Sequence, residues 1–384
     1  MVTNLPAEAK AKFAKYMEAR TPEEKLRALE EFLSAVPKHK GTENLVRWVR
    51  KRMAELREEI EEKRQKRSGG GLSFFVEKEG AAQLILLGFT KSGKSALLRF
   101  LTGAKAEVSD VPYTTKFPVV GMMQYEDVQF QIVEAPSIIP EGGGWNTKVA
   151  GLVKNSDGII IVLDASKDYE NDFKRIIEFL NDNGISIERP RGFVEIEKSH
   201  AGGIRIVNYG RFLGTEEDVV KLLNSYRIYN AIVKIYGEAN LDDVEKAIFE
   251  RVVYKPALVL LNKIDLVNDS SNLHDRFLKE LKLPAISVSI VKGFNKDVIG
   301  DAIFRLVNII RIYTKPPNGE PSSRPLVLKK GATVLDVAKA IHKDFVRKFA
   351  YARVWGTSVK YPGQRVGLDH ILHDRDVVEI VLRK

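Results

Sequence analysis

The stretch QLILLGFTKSGKSALLRFL, residues 83–101, decides how the rest of the chain is read. QLILL is too apolar for a strand with one wet face, and SALLRFL has the character of a helix. Between them, Gly88-Phe89-Thr90-Lys91-Ser92-Gly93-Lys94-Ser95 satisfies the pattern G-x-x-x-x-G-K-S/T in the strand–loop–helix context that the pattern requires. Glycines let backbone N–H groups curl around phosphate oxygens, and the helix N-terminus adds a favourable dipole. In such a loop Gly88, Thr90, Lys91, Ser92, Gly93 and Ala96 surround the phosphates, Lys94 bridges the β- and γ-phosphates, and Ser95 ligates Mg²⁺.

Downstream, Asn262-Lys263-Ile264-Asp265 follows the apolar run PALVLL and matches N-K-x-D. An aspartate at that position accepts hydrogen bonds from the N1 and N2 groups of guanine, a donor pair that adenine does not offer. Its place at the C-terminal end of a strand, far downstream of a phosphate loop, makes GTP or GDP with Mg²⁺ the expected ligand. Ser289, in SVSIVKGFNKD, suits a further guanine-contacting loop, with Ser287 as the alternative register. Within VPYTTKFPV (111–119), Thr115 or Thr114 is placed to close on Mg²⁺ when a γ-phosphate is present.

The pattern from Ala82 onward alternates short apolar runs with amphipathic stretches. QLILLG (83–88), VQFQIV (128–133), GIIIVLD (158–164) and PALVLLN (256–262) are predicted strands of a mostly parallel sheet with helices on both faces, an α/β P-loop domain. Before it, Thr21-Pro22-Glu23-Glu24 supplies an N-cap, a proline at the first helical position and a glutamate for a capping box. A second helix from Glu43 carries the stripe Leu45, Val49, Met53, Leu56 and Ile60, and the two are expected to form a helical hairpin over residues 1–67 that ends in KRQKR and the joint Ser68-Gly69-Gly70-Gly71. The expected P-loop domain then occupies 68–185 and 251–318, an α+β insertion 186–250, and a compact final module 319–384 beyond the linker KPPNGEPSSRP.

The 384 residues are 44% hydrophobic and 29% charged, a composition of folded soluble proteins, and contain no cysteine, which excludes disulfides, thiolate zinc sites and thiol catalysis. No apolar leader and no membrane-length apolar stretch is visible, so a cytoplasmic location without membrane contact is expected. The net charge of +10 is concentrated at the ends: residues 1–67 hold 17 Lys/Arg against 12 Asp/Glu, and residues 325–384 hold 12 against 6. Basic flanks suit a polyanion, with RNA the expected one. In the last module Lys329, Lys330, Arg347, Lys348, Arg353 and Arg365 are interleaved with Phe345, Phe349, Tyr351 and Trp355, as in an RNA-facing surface.

Taken together, GFTKSGKS, YTTKFPVVG, NKID and the stretch from Leu326 to Leu382 resemble the developmentally regulated GTP-binding protein family, a branch of the Obg-type GTPases. The last stretch is similar to that family's TGS domain, a ubiquitin-like β-grasp module. The resemblance implies GTP binding, slow intrinsic hydrolysis, association with ribosomes or RNA, and a small stabilising partner protein. It also exposes departures. Glu134 stands where the family's Asp-x-Pro-Gly has the aspartate that holds a Mg²⁺-bound water, and Ser137 replaces the glycine whose N–H meets the γ-phosphate. EGGGWNTK, which follows, lacks the family's basic pattern. Lys91 stands where related GTPases often carry an asparagine or serine, the asparagine helping to bind a monovalent cation, and its ammonium is either a substitute for that cation or a side chain that points to solvent. The expected catalytic residues are Lys94, Thr115 and Lys91, and the expected metal ligands are Ser95, Thr115 and Glu134.

Overall fold

The computed structural model describes residues 5–37, 42–65, 74–103, 117–139, 143–188, 192–199, 201–249, 252–267, 277, 279–281, 283–293, 296–317 and 319–383. The chain divides into two compact units, one of Met1–Phe74, Ile138–Lys154 and Arg175–Lys255, the other of Phe75–Ser137, Asn155–Lys174 and Pro256–Lys384. Helices α5 (Gly143–Asn155) and α6 (Tyr169–Asp182) straddle that division of the chain.

In the first unit the N-terminal segment forms three helices, α1 (Ala7–Glu18), α2 (Pro22–Ala35) and α3 (Glu43–Gln65), where a two-helix hairpin was expected. The start of α2 is the expected one: the Thr21 hydroxyl accepts from Glu24 N, and the Glu24 carboxylate reaches back to Thr21 N. Helix α1 gave no such signal, because Pro6 caps it without a side-chain bond. The α3 stripe is buried at Leu45, Val49, Met53 and Leu56, but its partner is more than another helix. One apolar core takes in Phe13, Phe32 and Val49 together with Leu223, Tyr226, Val233 and Ile248 of the insertion.

The insertion is a sheet of β6 (Gly192–Lys198), β9 (Ala231–Asn240) and β7 (Ile204–Asn208), with β8 (Arg211–Leu213) also on β9, and two helices, α7 (Glu216–Ser225) and α8 (Leu241–Phe249). The pairing of β5 (Ile185–Ser186) with β10 (Val253–Tyr254) brings its two ends together. Phe13 links the parts, its ring lying 5.1 Å from Phe32, 6.1 Å from Trp48 and 4.8 Å from Phe249. Each fully buried side chain of this size contributes about 1.5–3 kcal/mol, so the helices and the insertion stabilise each other as one core instead of two.

The second unit holds a six-stranded sheet ordered β12 (Ala285–Ser287), β11 (Ala257–Asn262), β4 (Gly158–Asp164), β1 (Ala82–Leu87), β3 (Val128–Glu134) and β2 (Val119–Tyr125). All neighbours pair in parallel except β2, which runs antiparallel on β3 at the edge. Strands β1, β4 and β11 are buried along their whole length, as parallel strands covered on both faces must be. On one face α4 (Lys94–Thr102) and α9 (Lys296–Val307) pack Leu97, Leu98, Leu101, Ile299 and Ile303 against Leu84, Leu86, Ile160 and Leu258.

A five-stranded sheet follows in the order β14 (Leu326–Lys329), β13 (Ile309–Thr314), β17 (Asp376–Leu382), β15 (Phe349–Trp355) and β16 (Gln364–Val366). Helices α10 (Val334–Ile341) and α11 (Lys343–Arg347) accompany it, and Ile312, Val337, Ala352, Val354 and Val378 lie in its core. The last module was expected to begin at 319. Its sheet instead starts at Ile309, because β13 pairs antiparallel with β14 and parallel with β17. The Pro/Ser-rich stretch is thus the connection of a hairpin inside the module, a role its composition serves as well as that of a linker. Among the described residues no helix is long and apolar enough to cross a membrane.

Candidate functional site

The parallel sheet brings the carboxyl ends of β1, β3, β4 and β11 to one edge, where the loops carrying chemistry emerge. The phosphate loop leaves β1 at Gly88 and enters α4 at Lys94 through Gly93, whose φ of +95° is in the left-handed region. A Cβ on Gly93 would lie 2.2 Å from Nδ2 of Asn262, so only glycine permits the close approach of the two motifs. That approach is bonded. Asn262 Nδ2 donates to the Ser92 carbonyl at 3.1 Å, and Lys263 Nζ donates to the Lys91 carbonyl at 2.6 Å.

Lys263 is held from its other side by a residue that sequence reading missed. Asp164, buried at the end of β4, accepts from Lys263 Nζ at 2.8 Å and from Ser166 through its N–H at 3.1 Å and its hydroxyl at 2.6 Å. Burial works against ionisation of Asp164, but these bonds outweigh it and hold its carboxyl below the usual aspartate range. The signal available was the acid that ends GIIIVLD at a parallel-strand terminus.

At the base end, Ser289 Oγ donates to Asp265 Oδ1 at 2.5 Å and accepts from Lys292 N at 3.1 Å. This is the register named first in the sequence. Ser289 is buried beyond β12, whereas Ser287 is the last residue of that strand.

At the phosphate end, the buried Lys94 ammonium donates to the carbonyls of Gly88 at 3.0 Å and Phe89 at 2.9 Å and to Ser137 Oγ at 2.9 Å. Burial lowers its pKa to about 8, opposed by the neighbouring Glu134 charge. Ser95 Oγ donates to Glu134 Oε1 at 2.5 Å, so the longer acid folds back onto the hydroxyl with which it was expected to share a metal. Ser137 was expected to act through its N–H; here its hydroxyl also meets Lys94. Thr90 and Ala96 are half-buried on the loop and the first turn of α4, and Lys91 is exposed with φ +64°. Thr114 and Thr115 lie outside the described residues.

Two observations test whether a Mg²⁺-nucleotide fits. Among the described residues, the hydrogen-bond acceptors of buried Lys94 are all uncharged, and the buried Ser92 hydroxyl has no partner. Both are groups that an anionic phosphate would satisfy. Ser95 and Glu134 place two hard oxygen donors side by side, a donor set suited to Mg²⁺.

Three family models match successive parts of the chain. Residues 83–193 match the model described as a 50S ribosome-binding GTPase, residues 201–309 the C-terminal region of that domain, and residues 310–382 the TGS domain. An uncharacterized GTP-binding protein of Methanocaldococcus jannaschii is 37% identical, with 94% of this chain and 93% of that protein covered. Developmentally-regulated G-protein 3 of Arabidopsis thaliana is 33% identical, covering 93% of this chain and 98% of its own. Ribosome-interacting GTPase 1 of Saccharomyces cerevisiae is 32% identical, covering 94% and 99%. With its P-loop domain, its TGS domain and relatives matched over nearly their full length, the chain belongs to the developmentally regulated GTP-binding protein family.

Proposed function

We propose that this protein binds GTP and GDP at the site above and acts as a slow, Mg²⁺-dependent GTPase switch. The observation that carries the reading is the lacing of the two motifs: Asn262 and Lys263 each donate to a P-loop carbonyl, while Asp265 of the same turn is held by Ser289. Base recognition and phosphate recognition share one frame, so a ligand must satisfy both at once.

In this reading Asp265 accepts from the guanine N1 and N2 groups, and Lys94 exchanges its Ser137 contact for phosphate oxygens. Ser95, Glu134 and Thr115 would hold Mg²⁺, which when bound neutralises charge on the phosphates. Lys91 adds a fixed cation on the loop, which would stabilise charge developing in the transition state without potassium. Slowness follows from Glu134, one methylene longer than aspartate, and from Ser137, whose side chain resists the backbone freedom of glycine. A titration with fluorescent GTP, GDP and ATP analogues tests the ligand: the guanine nucleotides should bind and ATP should not compete, and equal ATP binding would sink the assignment.

A non-catalytic, nucleotide-gated scaffold is the second reading. One observation favours it: Lys94 with Ser137, and Ser95 with Glu134, already bond to each other. Multiple-turnover phosphate release separates the two.

We further propose that the TGS domain contacts RNA, alongside the basic N-terminal segment. On the face of β15 away from the core, Arg365 lies 4.4 Å and Arg353 5.9 Å from the Tyr351 ring centroid, and Lys315 lies 4.8 Å from that of Trp355. Guanidinium–aromatic layers of this kind suit phosphate contact and base stacking together. The name of the yeast relative, a ribosome-interacting GTPase, points the same way. Arg353→Glu with Arg365→Glu should weaken ribosome co-sedimentation and lower the salt slope by about 2. Unchanged sedimentation at every salt concentration would remove this surface.

A further inference from the structure

Arg311, on β13 of the C-terminal sheet, is only 4% exposed and sits at the centre of a charged node. Its guanidinium grips Asp374 twice, Nε to Oδ1 at 3.1 Å and Nη2 to Oδ2 at 2.7 Å, and its backbone N–H adds a third bond to Oδ1 at 2.7 Å. The remaining nitrogen, Nη1, reaches out of the C-terminal sheet to the turn between β2 and β3, bonding Asp127 Oδ1 at 2.8 Å and also Glu126. Arg375 bonds Glu126 at 2.9 Å, and the Tyr313 hydroxyl bonds Asp127. Beneath the node, the Arg311 guanidinium covers the Phe304 ring of α9 at 4.7 Å. The adjacent Tyr125 ring is seated on Gly300 so closely that a Cβ there would come within 2.3 Å of it. Glu126 itself holds φ +48°, the left-handed conformation that a two-residue hairpin loop requires at its first position.

The gripped turn matters because of what hangs from the other end of its hairpin. β3 runs from Val128 to Glu134, whose carboxylate meets Ser95, and Ser137 follows three residues on. β2 starts at Val119, directly opposite Glu134, and is preceded in the chain by the segment carrying Thr115. The segment carrying Glu134 and Ser137 is therefore anchored to the open end of one seven-residue ladder, while the C-terminal sheet holds its closed end roughly 23 Å away. An antiparallel edge pair transmits displacement along its length, since a slip in register changes every cross-strand contact together.

Resting on the reading of this site as a GTP site, we infer that Arg311 is a positioning residue that links the C-terminal sheet to the nucleotide state through the β2–β3 hairpin. Linkage is reciprocal: whatever favours one position of the hairpin at the C-terminal sheet favours the same nucleotide at the site. Removing Arg311 outright would take the buried guanidinium from three carboxylates at once and endanger folding. The informative variants are Glu126→Gln and Asp127→Asn, combined, which weaken the grip from the hairpin side, with Tyr313→Phe as a milder third.

The experiment measures amide hydrogen exchange of the full-length protein, with GDP and with a non-hydrolysable GTP analogue, together with both affinities. In the wild type, protection of residues 309–314 and 372–378 should differ between the two nucleotides by about threefold or more. In the double variant that difference should vanish and the analogue-to-GDP affinity ratio should change by about threefold or more, with GDP affinity itself nearly constant. A merely structural node would lower the melting temperature but leave that ratio unchanged. Equal protection with both nucleotides in the wild type, or an unaltered ratio in the double variant, overturns the inference; failure of either nucleotide to bind the wild type overturns the GTP reading beneath it.

Discussion

The two ends of the proposed nucleotide site are built on opposite plans. At the end proposed for guanine, Asp265, Lys263 and Asn262 are tied to Ser289, Asp164 and the P-loop carbonyls, contacts that a ligand in that reading would not need to break. At the end proposed for phosphate, Lys94 and Ser95 are bonded to Ser137 and Glu134, groups that in that reading would have to let go or rearrange before phosphate and Mg²⁺ were held. The first end is preorganised and should fix selectivity at little cost. The second carries a competing set of internal bonds, so affinity and rate should respond most sharply to substitutions there.

The largest expected effect is Lys94→Ala. A buried ammonium bonded to phosphate contributes through several charge-assisted hydrogen bonds, so GTP affinity should fall on the order of a hundredfold in a fluorescence titration. Asp265→Asn comes next. An amide cannot accept from both guanine donors, and the loss should be about tenfold or more for GTP and GDP alike, with an unchanged melting temperature. If Asp265→Asn left the preference for GTP over ATP unchanged, the guanine end would not be the selective one.

The pH dependence gives an effect of similar size. With the free protein's Lys94 pKa near 8, the ammonium is charged below pH 8 and binding needs no proton there. Above it the ligand must first recruit one, so affinity should weaken by about tenfold between pH 7 and pH 9. Calorimetry in buffers of different ionisation enthalpy would register this proton uptake at pH 9 and not at pH 7. The stability term has the same origin. Burial holds the folded-state pKa below the ordinary lysine range, so Lys94 costs the nucleotide-free fold stability below pH 8, and that cost fades as pH rises toward the ordinary lysine value.

Ser137→Gly should have a smaller effect of opposite sign. It deletes the hydroxyl that competes for Lys94, a bond worth about 1 kcal/mol, and should tighten nucleotide binding up to about fivefold. Together with Glu134→Asp it should also speed hydrolysis. Slower turnover in that double variant would mean that the self-bonded arrangement aids the reaction instead of restraining it. Smallest of all should be the response of the wild type to replacing sodium with potassium, whereas Lys91→Asn should slow hydrolysis and introduce such a response.

How much of this was legible in the sequence follows from the range of the interactions concerned. The P-loop, the NKID turn, the Thr21 cap and the four apolar strands are short contiguous patterns whose meaning depends on immediate neighbours. Asp164, the Ser137 hydroxyl and the Arg311 node depend on which strand lies beside which, and the strand order β11-β4-β1-β3 joins pieces from across the chain. Arg311 in particular sits in RIY, an unremarkable basic residue in an apolar run, until β13 is assigned to the C-terminal sheet. Helix α1 was overlooked for the converse reason: it is stabilised by the insertion's core rather than by a cap of its own.

The most direct test is a phosphate-release time course for the wild type under saturating GTP and Mg²⁺. The expected result is slow, linear release continuing well past one equivalent per protein, at the same rate in sodium and potassium. No release over hours, with GTP demonstrably bound, would contradict the account and leave a nucleotide-gated scaffold in its place.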